Sequence, residues 1–149
     1  MTLTIREAVP EDLPQVLEMI AQLARHHGDE PTIRLGVLQN LVFDQGLARI
    51  LVAAEEEGLV GYALILLRPN LVSGGVGHDI NHLFVTEWRR RGGIGRALIA
   101  VAREGAMRAG AEFLRIGTHS GNPGAQMAYR DMGLQELPVP GPRFQVALA

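Results

Sequence analysis

Residues 3 to 9, LTIREAV, alternate apolar and polar positions, which is the period of a half-buried strand. After Pro10-Glu11-Asp12 the period changes. Leu13, Val16, Leu17, Ile20 and Leu23-Ala24 recur at helical spacing and stop near RHHGDEP. Asp12 is the expected cap, with acids in the first turn. A weaker helical pattern covers Ile33 to Phe43. ARILVAA (48–54), the turn-like EEEG and LVGYALILL (59–67) then predict an antiparallel hairpin. RPNLVSGGVG (68–77) is rich in structure breakers and predicts a loop, and HDINHLFV (78–85) predicts the next strand. From Gly93 to Gly110 the apolar positions Ile94, Leu98 and Val101-Ala102, together with Gly105, fall on one helix face. AEFLRIGT (111–118) predicts a strand. HSGNPG turns into a helix from about Pro123 to Met132, ended by Gly133. The remainder, LQELPVPGPRFQVALA, holds a Pro-rich loop and a final strand.

The predicted order is β-α-α-β-β-β-α-β-α-β. Hairpins combined with a strand–helix–strand crossover predict a mixed sheet with helices on both faces. With 149 residues, no repeats and no linker-like stretch, residues 1–149 read as one domain with one core.

Composition narrows the chemistry. Net charge is −2, so no global field draws nucleic acid or an anionic membrane. The apolar run Leu59–Leu67 is too short to span a bilayer, and the N-terminus lacks the basic-then-apolar order of a signal peptide, so a cytoplasmic location is expected. Cysteine is absent, which removes disulfides, thiolate nucleophiles and Cys-based zinc sites. All fourteen basic residues are Arg, which removes a Schiff-base lysine and a GxxxxGK[ST] phosphate loop. Ser73 and Ser120 are the only serines, and neither stands in GxSxG.

Against that background EWRRRGGIGRAL (87–98) stands out. A helix N-terminus offers unpaired N–H groups and partial positive charge, and glycines let an anion reach the backbone. Arg89, Arg90, Arg91 and Arg96 add charge suited to phosphates. The stretch therefore reads either as a grip for a pyrophosphate-like group or as a solvated basic turn with a glycine hinge. A dinucleotide-binding fingerprint fits less well. GGIGRAL has GxG without a third glycine in place, although Glu112 lies near the distance of a ribose-binding acid.

LFVTEWRRRGGIGRAL resembles the acetyl-CoA-binding segment of the GNAT superfamily of N-acetyltransferases. Arg90, Gly93 and Gly95 match its Arg/Gln-x-x-Gly-x-Gly/Ala pattern, and Arg91 replaces a glycine often found there. NPGAQMAYRDMGL resembles a later segment of the same family through Asn122, Ala125, Tyr129 and Gly133, with Leu134 in place of Phe. TIREAVPEDLPQVLEMIAQLA is similar to the family's opening strand and helix. The resemblance implies an α/β fold with a mixed, mostly antiparallel sheet of six to seven strands and about four helices. It implies direct transfer of an acetyl group from acetyl-CoA, a co-substrate, to a primary amine in a ternary complex. Amides from about Arg91 to Arg96 (Arg91, Gly92, Gly93, Ile94, Gly95, Arg96), assisted by Arg90, would hold the pyrophosphate. Leu83, Phe84 and Val85 would hold the thioester and pantetheine arm, with Asn122 and Tyr129 contributing. A homodimer is a further family expectation for the late strand and Pro-rich loop.

The reaction needs a base for the amine and a proton for the leaving thiolate. By the resemblance, Tyr129 is the acid, while Tyr62, mid-strand, reads as packing. Asp79 and Asn81 fall where relatives keep acids or histidines, although Asn81 cannot accept a proton; both are also candidates for acceptor binding. Asp79, acting through water, is the expected base. His82 has the better unperturbed pKa. Strict alternation places it with His78, Ile80 and Phe84, on the face opposite Asp79, Asn81, Leu83 and Val85, unless a bulge intervenes. His26, His27, Asp29 and Glu30 read as an exposed loop or as a polar wall for a cationic amine. His27, Asp29 and Glu30 are the acceptor-binding candidates there, and the spacing does not suggest a metal site. Trp88 packs under the turn or stacks on a ligand. The competing reading of another class is a non-catalytic acyl-CoA-binding or sensor module, and no nucleic-acid or membrane partner is expected.

Overall fold

The computed structural model describes residues 2–118 and 122–148. Contacts divide the chain into two compact units, 1–117 and 118–149. The first unit holds β1 (Thr4–Glu7), α1 (Leu13–His26), α2 (Leu35–Gln39), β2 (Ala48–Glu55), β3 (Gly58–Pro69), β4 (Val76–Val85), α3 (Ile94–Arg108) and β5 (Leu114–Ile116). The five strands form one sheet in chain order. β1 to β4 are antiparallel, and β5 runs parallel to β4 after the α3 crossover.

Alternation along β3 sorts the two sides of this sheet. Tyr62 and Leu64 face α1 and pack with Ile50, Val52, Phe84, Val16 and Ile20. Gly61 faces α3, where a Cβ would stand 3.5 Å from the Leu98 side chain. Leu13 and Val16 of α1, and Ile94, Leu98 and Ala102 of α3, are buried as their helical spacing predicts. A groove of about 530 Å³ lies where the C-terminal half of α3 meets β1 to β3.

The elements match the expected order, with differences that have physical causes. The second helix is short and continues as a π-helical turn, Asn40–Asp44, in which Gln45 N–H reaches the Asn40 carbonyl at 2.8 Å. Asp12 does not cap α1. Its carboxylate, 9% exposed, accepts the Val9 N–H at 2.8 Å and two Arg6 bonds at 2.6 and 3.1 Å. The Arg6 hydrogen bonds hold the Asp12 carboxyl below its ordinary value and outweigh the opposing effect of burial. Replacing Asp12 by Ala is expected to cost about 1–3 kcal/mol at pH 7, because the Val9 N–H and the guanidinium lose a charged partner. The folded pKa lies below the unfolded one, so this contribution is complete above the ordinary carboxylate range. It is lost as pH falls through that range and below. Urea unfolding of wild type and variant should therefore show a gap that narrows in acid.

The second unit contains α4 (Pro123–Asp131). Asn122 caps it by accepting the Ala125 N–H at 3.1 Å, and Gly133 follows with φ +86°. Arg130, in the last turn of α4, forms an ion pair with Glu136 beyond the helix. The expected final strand does not form among the described residues: 134–148 have no regular structure, and Val139, Phe144, Val146 and Leu148 are exposed. The described sheet thus has five strands, not six or seven, and the described residues form four α-helices. The expected turn through His119, Ser120 and Gly121 lies outside the described residues, as does Ala149. No helix among the described residues is long and apolar enough to cross a membrane.

Candidate active site

β4 and the turn that follows it carry most of the predicted residues. β3 and β4 pair in register from Gly61↔Val85 to Leu64↔His82, and then Ile65 pairs with Ile80. Asn81 is the extra residue of a bulge. This corrects the expected faces. Residues paired directly across antiparallel strands share a face. His82, opposite Leu64, lies on the α1 face, and so does Asp79, opposite Leu66. Asp79 and His82 therefore share a face, while Ile80, opposite Ile65, turns to the α3 face. Asn81 is exposed at the bulge.

Each side chain in this cluster has a defined partner. Asp79 Oδ2 accepts from Arg68 Nε at 2.8 Å, with the carboxylate 20% exposed. Asp79 also stands in parallel register with Arg115, whose guanidinium covers the Phe113 ring at 3.9 Å. His82 Nδ1 is 3.1 Å from the Tyr62 hydroxyl. Tyr62 is thus more than packing. Sequence reasoning missed the pair because 20 residues and a bulge separate its members. Burial, and then the nearby His27, lower the His82 pKa. His27 is thereby brought within electrostatic reach of β4. Asp29 and Glu30 are exposed on the loop after α1 and make no hydrogen bond or ion pair with this cluster among the described residues.

The edge of β4 supplies main-chain donors. Thr86 N–H donates to the Val60 carbonyl at 2.9 Å. By antiparallel alternation, Val85 and Leu83 then direct their N–H and C=O groups away from β3. The Val85 carbonyl accordingly accepts from Arg90 Nε at 2.9 Å. β5 pairs with β4 only over His78–Ile80, so it does not reach these groups. Phe84 departs from expectation. Its main chain faces β3, and its ring is buried in the α1 core, so it offers a ligand neither.

The turn after β4 shows why three arginines stand in a row. Arg89 is engaged within the fold: its Nη2 donates to the buried Glu55 carboxylate at 2.6 Å and ties the turn to β2. Arg90 braces the turn through Val85, with its guanidinium 5.7 Å from the Phe84 ring centre. Arg91 takes φ +67°, a left-handed conformation found at no other non-glycine residue described. Gly93, at φ +84°, is the N-cap of α3 and brings no side-chain oxygen to the first turn. Among the described residues the first α3 amides thus have no partner, and they lie beside the exposed side chains of Arg90, Arg91 and Arg96, while the Ile94 side chain is buried and leaves only its main chain to the turn. Such an end suits a phosphate group. Trp88 is 70% exposed and does not pack under the turn.

Glu112 accepts from Ser73 and Asn70 of the loop before β4, so it is not free for a ribose. In the second unit Tyr129 is half-buried, and that burial raises its pKa. The Asn122 side-chain oxygen is already used as a helix cap. No group of three or more acidic or histidine side chains among the described residues is placed to hold a metal ion.

The sequence profile of the acetyltransferase (GNAT) family matches residues 13–134, and the chain belongs to that family. No curated protein matches the sequence. Among solved structures it is similar to a ribosomal-protein-alanine N-acetyltransferase from Brucella melitensis biovar Abortus 2308. The TM-score is 0.82 at 18% identity, over 98% of this chain and 100% of that one. It is also similar to an aminoglycoside acetyltransferase from an uncultured soil metagenomic sample, solved with sisomicin, with TM-score 0.84 at 21% identity over 97% of each chain. A transcriptional regulator from Bacillus halodurans C-125 matches at TM-score 0.81 and 24% identity over 97% of this chain and 100% of that one. At these identities the likeness establishes the fold.

Proposed function

We propose that this protein transfers an acetyl group from acetyl-CoA to a primary amine by direct attack within a ternary complex. The observation that carries the proposal is the uncapped start of α3 at Gly93 beside the outward-facing amides of Leu83 and Val85. An acyl-CoA needs both features: donors and positive charge for its diphosphate, and strand-like main-chain partners for its pantetheine amides. Gly92, Gly93, Gly95 and the amides through Arg96 suit the first requirement, with Arg90, Arg91 and Arg96 supplying charge. Leu83 and Val85 suit the second and would polarise the thioester carbonyl.

Within this reading Asp79 is the base. One carboxylate oxygen is held by Arg68, which fixes the group, and the other has no partner among the described residues and can order a water. Tyr129, by its place in the family motif, protonates the leaving thiolate. Burial keeps the phenol protonated, as a donor must be. The amine acceptor lies on the α1 face near Asp79, Asn81 and His27, with Asp29 and Glu30 on the neighbouring loop. The exposed apolar positions Val139, Phe144, Val146 and Leu148 support contact with a second copy, which sedimentation velocity would detect as a dimer.

Thiol release from acetyl-CoA, followed across a panel of alkylamines, amino acids, aminoglycosides and peptide N-termini, tests the function. The expected result is release dependent on one class of amine, with a matching mass increase of the product. Binding of coenzyme A with no release for any amine would instead establish the sensor function.

A further inference from the structure

We propose that Tyr62 is a positioning residue that locks His82 with its proton on Nε2, so that His82 meets the acceptor as a hydrogen-bond donor and not as the base. The argument is a count of donors and acceptors. Tyr62 is 0% exposed and embedded in the apolar cluster between β3 and α1. Among the described residues, the only partner of its hydroxyl is His82 Nδ1, 3.1 Å away. A phenol has one hydrogen to place and two lone pairs, and the buried O–H is the part that is costly to leave unmade. With no other acceptor in reach, the O–H donates to Nδ1. A nitrogen that accepts cannot also carry a hydrogen, so the imidazole proton sits on Nε2.

The rest of the surroundings keep it there. The rings of Tyr62 and His82 meet edge-on, with centres 6.0 Å apart, and Phe84 packs against Tyr62 at 6.1 Å. Burial and the neighbouring His27 favour the uncharged imidazole. Burial also pushes the Tyr62 phenol far up, so a relay that leaves a tyrosinate behind is closed. His82 is half-buried and not fully enclosed, and among the described residues the buried side-chain nitrogens without a partner are those of His78 and Arg89.

A donor on this face has a chemical consequence. The lone pair of the attacking amine must remain free for the thioester carbon, so Nε2–H is directed to a different atom of the acceptor. The fitting partner is an oxygen close to the amine: a hydroxyl, an amide carbonyl or a carboxylate. The acceptor class is therefore an amine with a neighbouring oxygen, in preference to a plain alkylamine. This part rests on the acetyl-transfer proposal; the tautomer does not.

Nitrogen-15 NMR of uniformly labelled protein reads the tautomer directly. Neutral His82 is expected to show Nδ1 wholly as the unprotonated, pyridine-like type and Nε2 as the protonated type. Tyr62→Phe, which keeps the ring and its packing, should relax this to a mixture of both forms. A protonated Nδ1 in the wild type, or an unchanged spectrum in Tyr62→Phe, overturns the proposal. The kinetic arm compares His82→Gln, which keeps an N–H donor but cannot act as the base, with His82→Phe. The expected result is a KM for the oxygen-bearing acceptor raised at least tenfold in Phe and largely restored in Gln, with kcat little changed in Gln. Equal loss of kcat in both variants would make His82 the base and sink the proposal. If no amine turns over at all, the proposed function fails while the NMR arm still decides the tautomer.

Discussion

Gly93→Val is expected to weaken coenzyme A binding at least tenfold, measured by calorimetry at fixed salt. Gly93 holds φ +84° at the mouth of α3, where a β-branched side chain is strained by about 1–2 kcal/mol. The branched side chain would also crowd the amides that the turn leaves open. Strain alone does not account for the loss, and a control separates the two effects. Gly110, at φ +68°, takes a similar backbone conformation at the opposite end of the same helix. Gly110→Val should lower the melting temperature by a comparable amount and leave coenzyme A affinity within twofold of wild type. Equal affinity in wild type and Gly93→Val would remove the diphosphate grip from this turn, and the acetyl-CoA proposal with it.

Asp79→Asn should reduce acetyl transfer by about 10² to 10⁴, the usual contribution of a placed acid–base group. Coenzyme A affinity should stay near wild type, since no donor to the diphosphate changes. Stability should change little. The ion pair that is lost joins a carboxylate 20% exposed to an arginine 53% exposed, and pairs of this kind contribute at most about 1 kcal/mol. Single-turnover measurement with saturating acetyl-CoA isolates the chemical step. Transfer by Asp79→Asn as fast as by wild type would move the base elsewhere. The His82→Gln comparison then shows whether the histidine takes over.

Much of this molecule is legible along the chain because it rests on local physics. The spacing of Leu13, Val16 and Ile20, and of Ile94, Leu98 and Ala102, is set by the helical repeat, and those side chains are the ones buried. The hairpin 48–69 needs only alternation and a short turn. The turn at residues 87–93 is also readable as a helix start, since glycines precede a helical pattern, and α3 begins at Ile94 with Gly93 as its N-cap. The C-terminal segment shows the limit of the same logic. RFQVALA alternates well, but a strand forms only when another strand supplies its hydrogen bonds, and the described residues provide none.

The sequence by itself determined most of the elements, their order and the place of the glycine- and arginine-rich turn at Gly93 before a helix. Tertiary structure alone decided how the side chains of the site are arranged. The bulge at Asn81 arises from pairing β4 against β3, and one inserted residue reverses every face beyond it, so Asp79 and His82 share the α1 side. Glu55, 34 residues away, engages Arg89 within the fold. Tyr62, 20 residues before His82, decides which ring nitrogen carries its proton. Helical and strand periods act over a few residues, whereas partners, faces and tautomers are set by whatever the folded chain brings alongside.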